Sequence, residues 1–174
     1  MYLNRPQNFV ISKTGFMLKR TLFYIGFTLL ICLPGFSQEM KSLSYAQFEK
    51  EMAAFEGEYL IVNYWATWCR PCVEEMPDFE KINAEFSGQG VSVWFVNLDF
   101  NSAVEKSVMP FIRKNNLQSK LFHLTDTDPN TWIDKVNKEW GGNIPATAIY
   151  LKGNQIHFWA RSTNYDELRA AIRK

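Results

Sequence analysis

The chain reads as an α/β sandwich built on a mixed central sheet. Three features point there. An apolar run, Leu60 to Tyr64, passes directly into a helical pattern; a second apolar run follows at Val91 to Asn97; and two later runs, Ala146 to Leu151 and Gln155 to Trp159, flank a tight connection. The first three segments make a βαβ unit with parallel strands across a right-handed crossover, and the last two make an antiparallel hairpin.

Most elements carry their own signals. Ser44-Tyr45-Ala46-Gln47 is a capping box that opens a short helix to about Phe55, and Gly57 ends it. Leu60 to Tyr64 contains a β-branched pair and is too short for a helix. Cys72, Met76, Phe79, Ile82 and Phe86 then recur at helical spacing. They predict a helix from about Cys69 to Phe86, bent at Pro77 and stopped by Gly88-Gln89-Gly90. Val91 to Asn97 is a second buried strand. Ser102-Ala103-Val104-Glu105 reads as the cap of a helix interrupted at Pro110, and Asp128-Pro129 opens a helix that continues to Trp140, before Gly141-Gly142. Gly153-Asn154 joins the hairpin, and Asn164-Tyr165-Asp166-Glu167 opens the last helix.

The N-terminus has a different character. Thr21 to Phe36 is almost wholly apolar, follows Lys19-Arg20 and ends in Gly35-Phe36-Ser37, with small residues at the two positions a signal peptidase reads. Residues 1–37 therefore read as a signal peptide cut before Gln38, with Met17 a candidate true start. Sixteen apolar residues fall short of the roughly twenty that a spanning helix needs, which argues against an uncut membrane anchor. Acylation of Cys32 would want a small residue where Ile31 stands. Losing the leader removes four basic groups (Arg5, Lys13, Lys19, Arg20) and no acid, taking the net charge from +1 to −3. That balance argues against a nucleic-acid partner. Residues 38–174 form one domain without repeats or linkers, with aromatics enough for a core that needs no disulfide staples.

Cys69-Arg70-Pro71-Cys72 falls on the strand-to-helix turn. Two residues three apart in a first helical turn share a face, at a separation that fits the roughly 4.4–6.8 Å Cα distance of a disulfide. A helix N-terminus favours an anion, so the Cys69 thiolate should form below the free-cysteine pKa of about 8.5. Cys69 is the attacking thiol. Cys72, deeper and with its N–H committed to the helix, is the resolving thiol. Arg70 adds a cation beside Cys69, Pro71 stiffens the turn, Trp68 packs on the active-site loop and offers partners an apolar surface, and Trp65 belongs to the core.

A structural zinc site needs four ligands. Beyond the pair there remain Cys32 in the leader and two isolated histidines, His123 and His157, which read as ordinary strand residues; neither is placed beside Cys69 for Cys-His hydrolase chemistry. No metal and no cofactor is expected. A copper(I)-binding module is the rival of a different class, since thiolates are soft ligands, but no third soft ligand is placed to help. A thiol peroxidase would want a separate peroxidatic cysteine.

Val62 to Cys72 with Glu75-Met76-Pro77, and Ile144-Pro145 just before a later strand, resemble the thioredoxin-like family, and more narrowly the secreted TlpA/ResA-like thiol-disulfide oxidoreductases, over roughly residues 55–174. The resemblance implies the thioredoxin-like three-layer α/β/α sandwich, with an extra helical segment at Ser102 to Lys120. It implies that Pro145 is the cis-proline that faces the cysteine pair and offers backbone groups to an extended substrate. It also aligns Glu75 with an acid near the site, one turn beyond Cys72 and able to take the Cys72 proton, although by spacing alone Glu75 is equally a solvated acid like Glu74. Cytosolic thioredoxins carry an aspartate where Asn63 stands. An amide does not shuttle a proton at neutral pH, so that role moves to Glu75 or to water. The implied activity is periplasmic or secreted reduction of disulfides in exported proteins, apocytochrome cysteines among them, recharged by a membrane electron-donor protein. The protein itself meets the membrane only if its leader stays uncut. An oxidase or isomerase is the rival within the class, because direction follows the reduction potential.

Overall fold

The computed structural model describes residues 39–172. The expected leader, its cleavage point, Met17 and Cys32 lie outside the described residues. In chain order the elements are β1 (Met40–Leu43), α1 (Tyr45–Ala53), β2 (Tyr59–Trp65), α2 (Arg70–Phe86), β3 (Val91–Asn97), α3 (Met109–Asn115), β4 (Lys120–Leu124), α4 (Ile133–Val136), β5 (Ala146–Leu151), β6 (Asn154–Trp159) and α5 (Tyr165–Ala171). The strands form one sheet in the order β1-β4-β3-β2-β5-β6. The first four run parallel to one another, and β5 and β6 are antiparallel to their neighbours.

β2 lies inside this sheet with all seven residues buried. Alternation along the strand sends its side chains to two cores. Tyr59, Ile61 and Trp65 join Phe79 and Ile82 of α2 and Leu168 of α5. Leu60, Val62 and Tyr64 join Phe48 of α1 with Trp132, Val136 and Trp140. The second core is mostly aromatic: the Phe48 ring lies 5.1 Å from Phe122 and 5.9 Å from Trp94, and Tyr64 lies 4.9 Å from Trp140. Helices cover both faces, which gives the expected three-layer sandwich.

Local signals position the ends well. Ser44 forms its capping box with Gln47, and Asn164 accepts from the Glu167 N–H at 3.1 Å to start α5. Other expectations need correction. β1 and β4 are additional strands: Phe122 of β4 pairs with Val96 of β3 and with Lys41 of β1. Ser102 makes no cap. Asn101–Ala103 is a 3₁₀ turn, Val104–Val108 a π turn, and α3 follows with Pro110 in its first turn, where a missing N–H is harmless rather than an interruption. Asp128 caps only a 3₁₀ turn, Pro129–Thr131, and α4 ends at Val136 because Asn137 is extended (φ −160°, ψ 131°). Trp140 lies beyond that helix and donates its indole N–H to the Asn143 carbonyl at 2.8 Å.

The hairpin turns on Lys152-Gly153 (φ 48° and 82°) rather than Gly153-Asn154, positive φ at both positions being what a tight two-residue connection requires. The β5–β6 pairing slips its register between Ile149 and Tyr150. Among the described residues no helix is long and apolar enough to cross a membrane.

Phe48 is fully buried at the centre of the aromatic core. Phe48→Ala should cost about 3–5 kcal/mol. The expected readout is a lower urea midpoint with an unchanged slope.

Candidate active site

β2 ends at Trp65, and the chain turns through Ala66, Thr67 and Trp68 into α2, whose N-cap is Cys69 (φ −86°, ψ 95°). The Cys69 sulfur accepts the Cys72 N–H at 3.4 Å. This N–H therefore serves the Cys69 sulfur rather than the helical ladder, a donor already in place for a thiolate. The two cysteines form a disulfide with Cα atoms 5.3 Å apart. Cys69 is 5% exposed and Cys72 fully buried, so the Cys69 sulfur is the more accessible of the two.

The turn is fastened from β3. The Asp99 carboxylate accepts the Thr67 N–H at 2.8 Å, the Thr67 hydroxyl at 2.6 Å and the Asn97 side-chain amide at 2.7 Å. The Leu98 N–H donates to the Trp65 carbonyl at 2.8 Å. Behind them the His123 ring donates from Nε2 to the Asp99 carbonyl at 3.0 Å. Asp99, Asn97 and Thr67 are supporting residues that sequence reasoning missed; the available signal was a carboxylate two residues past the end of a buried strand.

Glu75 is a buried acid rather than a solvated one. It is 5% exposed, its Oε1 accepts from Asn63 Nδ2 at 2.8 Å and its Oε2 from the Thr163 N–H at 2.9 Å. The same Nδ2 donates to Thr147 Oγ1 at 3.2 Å, Asn63 and Thr147 standing opposite each other on β2 and β5. Burial pushes the Glu75 carboxyl up from 4.5 to about 7 against the pull of these hydrogen bonds, with a small further rise from the charge of Asp78.

Arg70 pairs with Glu74 at 2.7 Å, with both side chains mostly in solvent. Its charge is thus shared and screened, which weakens its hold on a Cys69 thiolate. Pro71 lies in the first turn of α2. Trp68 is 67% exposed and so projects into solvent more than it packs on the loop. With Phe100, which is 81% exposed, it walls an apolar groove of about 330 Å³ that reaches Leu98, Trp132 and Ile144. The Ile144–Pro145 peptide is cis, and Pro145 leads directly into β5. His157 is exposed on β6 and stacks on Trp159 at 5.5 Å. Among the described residues no three potential metal ligands gather.

The AhpC/TSA family model matches residues 33–158. The thiol-disulfide oxidoreductase ResA of Oceanobacillus iheyensis is 31% identical over 121 residues, 70% of this chain and 58% of that protein. The thioredoxin-like protein YneN of Bacillus subtilis is 37% identical over 78 residues, 45% of this chain and 43% of that protein. The chain thus spans about half the length of these relatives. Among solved structures, a secreted thiol-disulfide isomerase from Corynebacterium glutamicum superposes with TM-score 0.58 at 22% identity, covering 69% of this chain and 71% of that one. StoA from Bacillus subtilis superposes with TM-score 0.53 at 23% identity, covering 67% and 84%. At these identities the likeness is one of fold, the thioredoxin-like sandwich.

The raised Glu75 pKa fixes the sign of a stability change. A carboxyl that keeps its proton to about pH 7 when folded, but loses it near 4.5 when unfolded, favours the fold in acid. That contribution fades as pH rises through the folded value. Between pH 5 and 8 the wild type should lose about 2–3 kcal/mol of stability relative to Glu75→Gln, measured by urea unfolding at each pH.

Proposed function

The chain belongs to the AhpC/TSA family, and on that premise we propose that it is a thiol-disulfide oxidoreductase that reduces disulfides in exported proteins through Cys69 and Cys72. The observation that carries this reading is the asymmetry of the pair: one sulfur at the helix N-terminus holding an N–H donor, the other fully buried one turn behind it. The Cys69 thiolate attacks a substrate disulfide; a mixed disulfide forms and one substrate sulfur leaves as thiolate, taking up a proton. Cys72 gives its proton to Glu75 and attacks the Cys69 sulfur. The Cys69–Cys72 disulfide forms, the second substrate sulfur leaves, and two electrons have passed to the substrate.

In this reading the cis peptide at Pro145 and the groove beside Trp68 hold the substrate as an extended segment, and a dithiol donor at the membrane reverses the sequence to restore the pair. A site outside the cytoplasm suits such chemistry. Support comes from the likeness in fold to a protein described as a secreted isomerase.

Cys72→Ser should accumulate a mixed disulfide with an oxidised polypeptide, seen by mass spectrometry, and Cys69→Ser should not; trapping through the other cysteine would reverse the roles. The reduction potential tests direction: a value near or below roughly −270 mV supports a reductant, whereas one near about −120 mV makes the protein an oxidant. Glu75→Gln should slow release of the mixed disulfide by about 100-fold and flatten its rise through pH 7.

A further inference from the structure

Asn63 is fully buried in the middle of β2. Its Nδ2 donates twice, to Glu75 and to Thr147, while its Oδ1 meets no partner among the described residues. A buried carbonyl oxygen left unpaired costs on the order of 1–3 kcal/mol, so its persistence calls for a physical reason. The reason lies in what Glu75 must do. As a carboxylate it takes hydrogen bonds from Asn63 and from the Thr163 N–H. Once it gains a proton it becomes a donor and needs an acceptor. Thr163 offers a backbone N–H, which only donates. Asn63 carries a donor and an acceptor at the two ends of one flat group, and a half-turn about its last bond exchanges them. Thr147 follows either way, because a hydroxyl both donates and accepts.

We propose that Asn63 is a positioning residue that serves Glu75 in both protonation states, its Nδ2 donating to the carboxylate and, after a half-turn of the amide, its Oδ1 accepting the proton of the carboxylic acid. This rests on the reading of Glu75 as the proton acceptor for Cys72. The proton leaves the Cys72 thiol, resides on the Glu75 oxygen facing Asn63, and returns to solvent or to the departing substrate sulfur; no electrons move in this step. The groups around Glu75 suit the exchange. Asp78 on its own helix is the charge that acts on it, Cys72 one turn back is the titratable thiol of the reduced state, β2 and β5 present an amide and a hydroxyl, and the segment before α5 presents the Thr163 N–H. An aspartate at position 63 would instead set two carboxylates against each other, and their titration would split into two coupled steps.

The test is an NMR pH titration of the oxidised protein that follows the Glu75 carboxyl carbon and the nuclear Overhauser effect between the Asn63 side-chain NH₂ and the Thr147 methyl. The expected result is a strong effect above the Glu75 midpoint that is lost below it, as the NH₂ turns away. A companion variant, Asn63→Leu, removes the stronger charge-assisted bond and should raise the Glu75 midpoint, and with it the pH profile of mixed-disulfide release, by about one pH unit. A merely structural role would lower the melting temperature and leave both midpoints in place. An Overhauser effect that persists on both sides of the midpoint overturns the proposal even if Asn63→Leu does not fold. If Glu75→Gln leaves the pH profile of release unchanged, the acid role of Glu75 falls and this proposal falls with it. If that profile changes while the Asn63 amide stays still, the acid role stands and the amide turn alone is overturned.

Discussion

A sulfur occupies the place where a helix ordinarily begins with an oxygen. Ser, Thr, Asp and Asn are the usual residues at an N-cap, because their side-chain oxygens satisfy N–H groups that the helix leaves unpaired. Here Cys69 takes the position and accepts the Cys72 N–H. The rest of the site depends on that start. Beginning α2 one residue after Cys69 puts Cys72 in the first turn facing the core, Pro71 where a lost N–H does no harm, and Glu75 one turn further in above β2. A thiolate is a better acceptor than a thiol and is also favoured by the helix dipole, so the cap that organises the turn is stronger when the Cys69 sulfur carries a charge.

The support behind this start comes from chain distant in sequence. Asp99 fastens Thr67, and the Thr163 N–H anchors the carboxylate of Glu75 from 88 residues away. Both contacts use buried polar groups with short, satisfied bonds on the working side, an arrangement that rigidifies a site. The exposed elements differ in kind. Arg70 and Glu74 share a solvated ion pair that contributes little to geometry, and Trp68 and Phe100 present apolar surface that no part of the described chain covers.

What could be read in the sequence was whatever is decided locally. The cysteine turn, the Ser44 and Asn164 caps and the apolar strands β2 and β3 all declare themselves within a few residues, and their observed bounds lie close to the expected ones. β1 and β4 did not. Met40–Leu43 has two polar residues of four, and Lys120–Leu124 opens on Lys and includes His; their strand character comes from pairing with each other and with β3. α4 stopped short of Trp140 because burial of that indole beside Tyr64 and Trp132 decides the local backbone. Glu74 and Glu75 are adjacent and chemically alike, and helical spacing alone could not say which was buried. The hydrogen bonds that Glu75 accepts from Asn63 of β2 and from the Thr163 N–H ahead of α5 settle it.

The slip in register between Ile149 and Tyr150 bears on how this molecule behaves in company. β6 is an outer strand, and among the described residues β5 is its one neighbour in the sheet. A long, straight outer strand is a template on which a second chain can lay down its own backbone, the first event in fibril growth. The extra residue, Ile156, lies in β6 itself and adds twist where an incoming chain would have to match a flat ladder. The irregularity in the outermost strand of this sheet thus works against a second chain adding its backbone there.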